Sequence, residues 1–363
     1  MPIKSVSIEH IRNLTSVAFE PSPRINILYG ANGSGKTSLL ESLHFLGLTR
    51  SFRTHQFRYL VSSQQRESLV FSQIDPTASG QAKALGVSRS LEGDVKIRYS
   101  GNDIDLSDLA SLIPLQVINT DTFELLEGSP ATRRQFIDWG SFHYDPAFIQ
   151  VWRACRRVLQ QRNSLLKCGK IDPALRQVWD SEFIHYAKRM TSLRKAYIDQ
   201  LKPDFDTILE KLGGDLDVTL KFSPGWDLKR ELDELLAEQL PRDLKQGFTG
   251  IGPQRADLKV KSDGVSAAER LSRGQKKLVV SALKLAQGAL FHRMNQRACV
   301  YLIDDLPSEL DEQHSRLFCE FLEQTNNQCF ITCVDPISLQ DCWSADTEVA
   351  YFQVEDGRLL HTH

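Results

Sequence analysis

Gly30-Ala31-Asn32-Gly33-Ser34-Gly35-Lys36-Thr37 has the residue types and spacing of a phosphate cradle. Glycines let successive backbone N–H groups turn inward around an anion, and the helix that opens next adds positive potential where the negative charge sits. Lys36 supplies a point charge for β- and γ-phosphate oxygens, and Ser38 follows in the same first helical turn. Thr37 offers a hydroxyl to a hard, octahedral cation, so the chemistry is that of a nucleoside triphosphate held with Mg2+. The flanks agree: apolar Ile25-Asn26-Ile27-Leu28 reads as a strand before the loop, and Leu39, Leu40 and Leu43 follow at helical spacing.

Two further segments extend this chemistry. Val300-Tyr301-Leu302-Ile303 reads as a buried parallel strand that ends in Asp304 and Asp305, and ligands in open α/β sheets gather at such carboxyl ends. Asp304 is the expected Mg2+-side acid. Asp305 stands where related ATPases carry a glutamate that polarises the attacking water, and its shorter side chain leads to an expectation of slow ATP turnover. Between loop and acids lies Leu271-Ser272-Arg273-Gly274-Gln275, which resembles the signature of ABC-type ATPases. Ser272 is either a plain helix cap or, with the Gly274 amide and Gln275, an anion site. In the ABC family this element grips the γ-phosphate of ATP held by a partner subunit, which implies an ATP-dependent homodimer with Ser272, Lys36, Asp304 and Asp305 as its catalytic set.

These motifs must be positioned by an interrupted head. Strand-like runs occupy residues 1–125: Ile3 to Ile8, Ser16 to Phe19, Ser68 to Ser72, Val95 to Tyr99 and Leu115 to Ile118. Residues 126–245 read as an inserted, compact helical arm, interrupted at Pro173, Pro203 and Gly213-Gly214. Residues 246–363 return to the head with the signature helix and the strands Cys299 to Ile303 and Gln328 to Cys333. Lys36 and Ser272 are separated by most of the chain, whereas Ser272 and Asp304 lie close together. A long coiled coil would need several hundred residues of sustained heptads, so the arm must be compact.

Composition narrows the class. The chain has 363 residues, 41% of them hydrophobic, enough for a sizeable core in about two lobes. No apolar run approaches a membrane span and the amino terminus does not read as a signal peptide, so a cytoplasmic protein with no membrane partner is expected. Seven cysteines without a C-x-x-C pair suggest neither a disulfide framework nor a zinc site. With a formal net charge of -2, any contact with nucleic acid must come from a local patch.

A closer resemblance lies in Glu127-Gly128-Ser129-Pro130-Ala131-Thr132-Arg133-Arg134-Gln135-Phe136-Ile137-Asp138-Trp139-Gly140, in Ser51-Phe52-Arg53-Thr54, and in Asp304-Asp305 continuing to Ser308-Glu309-Leu310-Asp311. These segments resemble the RecF family of SMC-like recombination and repair ATPases, and the likeness spans nearly the whole chain. It implies an α/β fold, an ABC/SMC-type P-loop ATPase head with an inserted helical arm. It also implies an ATP-dependent dimer on single-stranded and gapped duplex DNA that works with RecR, RecO and RecA, hydrolysis timing its release. The alternative is the ATPase subunit of an ABC transporter.

The same resemblance makes Arg12-Asn13 a nucleotide-contacting pair, or else an exposed turn, and Gln116 a metal-side glutamine, or else an ordinary strand residue. Gly252-Pro253-Gln254-Arg255-Ala256-Asp257 departs from the family at Gln254 and Ala256, and no histidine follows Phe330-Ile331-Thr332-Cys333. Within Val151–Ile171, which has basic residues and no acidic ones, Arg153, Arg156, Arg157 and Lys167 share one helical face opposite Val158, Leu159, Leu165 and Leu166. That face is either solvated or a contact for DNA phosphates. Arg162 falls on the apolar side and must snorkel or mark a helix break. Arg133 and Arg134 are DNA contacts or partners of Asp138.

Overall fold

The apolar runs Ile25–Tyr29, Gln328–Cys333 and Val300–Ile303 lie side by side as parallel strands in a computed structural model that describes residues 3–77, 80–168, 172–213, 215–325 and 327–361. They are the centre of a six-stranded sheet ordered Arg358–His361, Val349–Glu355, Ile25–Tyr29, Gln328–Cys333, Val300–Ile303, Leu115–Ile118. All its pairings are parallel except the terminal hairpin. Every residue of Val300–Ile303 and Gln328–Cys333 is buried, as a sheet covered on both faces requires.

A second six-stranded sheet is antiparallel and alternates buried with exposed positions: Leu14–Phe19, Ile3–Ile11, Glu67–Ile74, Lys83–Ser90, Val95–Tyr99, Asn102–Asp103. Its strand Lys83–Ser90 escaped the sequence reading because Gly86 and four polar residues dilute the pattern, although Leu85 and Val87 alternate into the core. One apolar cluster joins both sheets to the phosphate-loop helix Lys36–Leu48, through Ile8, Val70, Leu40, Leu43, Leu302 and Phe330. Each such side chain contributes roughly 1.5–3 kcal/mol on leaving water.

The chain divides into two contact units, one from the described residues of Met1–Thr122, Ile208–Gly214 and Lys277–His363, the other from Phe123–Thr207 and Asp215–Lys276. The second unit begins close to the expected arm and extends beyond residue 245. Its extra segment is held by Asp257–Ser262, which pairs along its full length with Val218–Ser223 and then turns back to Val265–Ser266. The arm is therefore not purely helical. Nor does Pro203 interrupt it: the helix Pro173–Lys211 runs through that residue, and Pro173 opens it. An internal proline costs about 3 kcal/mol, and burial of Leu201 and Phe205 on either side offsets a loss of that size.

Arg162 neither snorkels nor breaks its helix, Phe148–Lys167. It is 1% exposed, and its guanidinium donates to Asp180 at 2.7 Å, to Asp243 at 3.1 Å and to the Thr249 hydroxyl at 2.6 Å. Asp243, itself fully buried, also accepts the Gly250 N–H at 2.9 Å. Removing the cation would strand this carboxylate away from water. Arg162→Met is expected to cost about 3–5 kcal/mol in chemical denaturation, whereas Arg157→Met on the exposed face should stay within about 0.5 kcal/mol.

His44, on the phosphate-loop helix, is buried with Nδ1 at 2.7 Å from the Arg50 carbonyl, and burial pushes its pKa down to about 4. The unfolded imidazole takes up its proton near pH 6.5, so its contribution to stability is complete above that value and is lost as pH falls towards 4. The loss amounts to about 3 kcal/mol over that window. Urea unfolding of His44→Gln at neutral and acid pH should show a correspondingly flatter pH dependence than the parent.

Candidate functional site

The loop between strand Ile25–Tyr29 and helix Lys36–Leu48 takes a shape that its glycines permit. Gly30 has φ 149°, and a Cβ there would lie 2.3 Å from the Val354 carbonyl oxygen. Gly35 caps the helix at φ 120°, where a Cβ would crowd Asn13 and Leu14. The loop is pinned from outside: the Gly357 N–H donates to the Ser34 carbonyl at 2.7 Å and the Asn13 amide reaches the same oxygen at 3.4 Å. Within it, the Lys36 ammonium donates to the carbonyls of Gly30 and Ala31 at 2.7 and 2.9 Å. A cation thus sits among backbone groups at a helix start, an arrangement suited to a polyphosphate.

Arg12 and Asn13 do adjoin this loop. Ser38, in the first turn of the helix, donates to Asn13 at 2.8 Å. Arg12, at φ 55°, makes a two-pronged pair with Glu41 at 2.8 and 2.7 Å. Glu41 is fully buried and also takes the Ser51 hydroxyl, with Arg53 at 3.9 Å. This carboxylate, overlooked in the sequence because an acidic residue on an apolar helix reads as exposed, orients the Arg12-Asn13 turn.

At the neighbouring strand ends, Asp304 accepts the Thr37 hydroxyl at 3.0 Å and the Thr332 hydroxyl at 2.8 Å. Burial raises the pKa of Asp304, the two hydroxyls oppose the shift, and the adjacent Asp305 charge adds to it. Asp305 has a left-handed backbone, φ 56° and ψ 52°, and donates its N–H to the Thr332 Oγ at 2.8 Å. Thr332 therefore ties both acids to the strand between them and the phosphate loop. The sequence showed it only as part of an apolar run. Thr37 and Asp304 form an all-oxygen pair that fits Mg2+, which uses few protein ligands beside phosphate and water. Among the described residues no group of three or more His, Cys, Asp and Glu gathers as a metal cluster.

Gln116 is not part of this pair. It is opposite Tyr301, three residues before Asp304, and its buried amide meets Gln287 and the Lys284 ammonium, each at 3.2 Å. Burial pulls the pKa of Lys284 down to about 8. The backbone beside Asp304 is that of Ile118, whose carbonyl accepts the Asp304 N–H at 2.9 Å.

Ser272 caps the helix Arg273–Asn295 reciprocally with Gln275: its Oγ accepts the Gln275 N–H at 3.3 Å, and the Gln275 side chain accepts the Ser272 N–H at 2.9 Å. Ser272 and Gly274 remain exposed at this helix start. Beyond Asp305, Asp311 caps the helix Glu312–Gln324, while the side chains of Ser308 and Glu309 lie outside the described residues. Gln254 donates to the Ile251 and Thr249 carbonyls at 2.8 and 3.2 Å, and Ala256 is fully buried, both positions serving the local turn.

The arm arginines separate into two kinds. Arg133 pairs with Asp257 at 2.6 Å and donates to the Gly128 carbonyl, and Arg134 donates to the Ala256 carbonyl at 2.9 Å. Asp138 takes Arg194 instead, at 2.8 and 3.0 Å. Neither reading of Arg133 from sequence anticipated Asp257, which is far along the chain. Arg153, Arg156, Arg157 and Lys167 are exposed on one helix, with Arg156 lying over the Trp152 ring.

Phosphate loop, acid strand and serine-capped signature helix on this mixed sheet define the ATPase head of the ABC/SMC class. The RecF/RecN/SMC N-terminal domain model matches residues 2–359. The chain is 49% identical over its whole length to the DNA replication and repair protein RecF of Pseudomonas paraeruginosa, covering 98% of it, and 48% identical to that of Azotobacter vinelandii, covering 99%. The chain belongs to the RecF family. Its fold is similar to a solved structure of the recombination mediator protein RecF with ATP, with a TM-score of 0.87 and 24% identity over 99% of this chain and 96% of that one. It is also similar to the Smc head domain of Pyrococcus furiosus, with a TM-score of 0.59 and 15% identity over 99% of this chain and 95% of that one.

Because Thr332 serves two acids, Thr332→Val is expected to lose about 1–3 kcal/mol of stability in denaturant titration, while Thr332→Ser, which keeps the hydroxyl, should lose no more than about 1.5 kcal/mol.

Proposed function

We propose that the chain is an ATP-dependent DNA-binding protein of recombinational repair and replication, a slow, DNA-stimulated ATPase whose hydrolysis times its hold on DNA. The observation that supports it most is the Thr37–Asp304 contact at the lip of the phosphate loop, which joins the nucleotide cradle to the acid strand. Gly30 to Ser38 would bind the triphosphate through backbone N–H groups, with Lys36 on its β- and γ-phosphates and Arg12-Asn13 at its side. Thr37 and Asp304 would hold Mg2+, which neutralises phosphate charge as the terminal bond breaks. Asp305 would orient the attacking water.

Ser272, Gly274 and Gln275 belong, in this reading, to the neighbouring copy's nucleotide. A helix start bearing a serine offers N–H groups to a γ-phosphate, so ATP adds contacts across a homodimer interface. ATP then tightens dimerisation and dimerisation tightens ATP binding by the same factor. Hydrolysis releases both. The relatives named DNA replication and repair protein, matched along nearly all their length, favour this reading over a transporter subunit. Among the described residues no helix is long and apolar enough to cross a membrane. DNA as single strands or gapped duplex, RecR as a direct partner, and RecO and RecA as functional ones complete the proposal, which the likeness to the ATP-bound recombination mediator of the RecFOR pathway supports.

Sedimentation with ATP separates the steps. Asp305→Asn should accumulate as a dimer while Lys36→Ala remains monomeric, and equal dimer in both would remove ATP from the interface. Arg153, Arg156, Arg157 and Lys167 would contact phosphates without choosing sequence. Replacing the three arginines by alanine should make the slope of log affinity against log salt shallower by about 3 on gapped DNA, and an unchanged slope would place the contacts elsewhere.

A further inference from the structure

Two cysteines of the unit that carries the phosphate loop face each other outside the nucleotide site. Cys319 lies on the helix Glu312–Gln324 and is fully buried. Cys342 lies on the turn after the short helix Ile337–Gln340, its N–H donating to the Leu339 carbonyl at 3.3 Å. One turn beyond Cys319, Glu323 accepts the Ser344 N–H at 2.7 Å and the hydroxyls of Ser344 and Thr347 at 3.1 and 2.6 Å. Positions four apart share a helix face, so the face that holds Ser344 also meets Cys342, two residues earlier. There the Cys319 thiol donates a hydrogen bond to the Cys342 sulfur.

This contact sets the two thiols apart chemically. The bond from Cys319 pulls the pKa of Cys342 down to about 7, with the Arg316 charge adding to it and burial, Asp341 and Glu312 opposing. The same bond, together with burial, pushes Cys319 well up. Burial holds Cys155, Cys329 and Cys333 up at about 12. Near neutral pH Cys342 thus carries a large share of thiolate, the nucleophilic form, and it keeps 9% of its surface in solvent whereas Cys319 keeps none. A thiolate beside a donor thiol is the pairing in which one sulfur is oxidised and the other resolves it. A metal site is not indicated, since among the described residues no third His, Cys, Asp or Glu completes a cluster.

We propose that Cys319 and Cys342 are an oxidation site, a dithiol that a hydroperoxide converts to a disulfide tethering the helix Glu312–Gln324 to the segment Cys342–Thr347. In the first step the Cys342 thiolate attacks the peroxide, an S–O bond forms as the O–O bond breaks, and the leaving oxygen takes a proton from water. Cys342 is then a sulfenic acid. In the second step the Cys319 sulfur attacks that of Cys342, the S–O bond breaks, and the departing hydroxide leaves as water with the Cys319 proton. The two sulfurs lose two electrons and the peroxide gains them. Thiol exchange with a small-molecule dithiol reverses the change. The bond closes a short loop between the helix that follows the acids and the segment leading into Val349–Glu355, so the oxidised chain resists unfolding more strongly.

The test uses the full chain with Cys168→Ser, which removes the exposed thiol of the other unit. After hydrogen peroxide at neutral pH and removal of the oxidant, alkylation in denaturant should find two thiols fewer. Peptide mapping without reductant should show a Cys319–Cys342 cross-link that dithiothreitol removes. With Cys319→Ser the oxidised Cys342 should be trapped by dimedone, and Cys342→Ser should slow thiol loss about tenfold. The urea midpoint of the oxidised chain should lie above that of the reduced one and return with dithiothreitol. Because the cross-link and the midpoint are read in a chain that keeps both cysteines, the outcome does not depend on either variant folding. Retention of every thiol overturns the proposal, as does a cross-link through Cys329 or Cys333, a disulfide between two copies, or an oxidised midpoint no higher than the reduced one.

Discussion

One carboxylate links parts of the chain that are far apart in sequence. Asp304 is held between Thr37, at the start of the phosphate-loop helix, and Thr332, on the strand that separates the loop from the acids. For these three side chains to meet, Ile25–Tyr29, Gln328–Cys333 and Val300–Ile303 must end at the same level, and the register Leu28 to Thr332 and Ile331 to Ile303 achieves that. A slip of one residue would turn Thr332 to the opposite face and take away one of the two hydroxyl donors of Asp304. The buried runs on both sides of these strands thus position chemistry as well as making a core.

How much of this was legible follows from distance along the chain. The phosphate loop, the acid strand and the signature cap are contiguous, so residue type and spacing carry them. The Ser272 cap is the case in point, since a serine just before a helical run is a local signal, while its reciprocity with Gln275 came only from the structure. Thr332 and Glu41 were illegible because each acts through partners supplied by other elements, and nothing local distinguishes a strand threonine or a helix glutamate that does so. Gln116 failed for a related reason: its strand was found, but the offset between it and Val300–Ile303 decides which residue stands beside Asp304, and that offset is fixed by pairing.

The arm shows the same limit in a different form. Periodicity located the helix Phe148–Lys167 and its exposed cationic face correctly, while Arg162 looked like an error in the pattern. It became acceptable in the core only because Asp180, Asp243 and Thr249 arrive from elsewhere to neutralise and bond it. The network ties the helices carrying Arg162, Asp180 and Asp243 to one another at fixed points. Pro203 likewise reads locally as a break and is overruled by burial on both sides.

The backbone also bears on why residue 305 is an aspartate. Its left-handed conformation is one that bulky residues resist and that short polar ones such as Asp tolerate. The turn is stabilised by the Asp305 N–H on Thr332 and by Pro307 in the first turn of the short helix Leu306–Glu309. A longer acid at this point would lose more side-chain freedom in the same turn. Thr332 therefore couples two requirements that look independent: by bonding the carboxylate of Asp304 it fixes one acid, and by accepting the next amide it bends the chain so that the neighbouring acid leaves the strand direction. The identity of the second acid is then set by the turn that carries it as much as by the chemistry proposed for it.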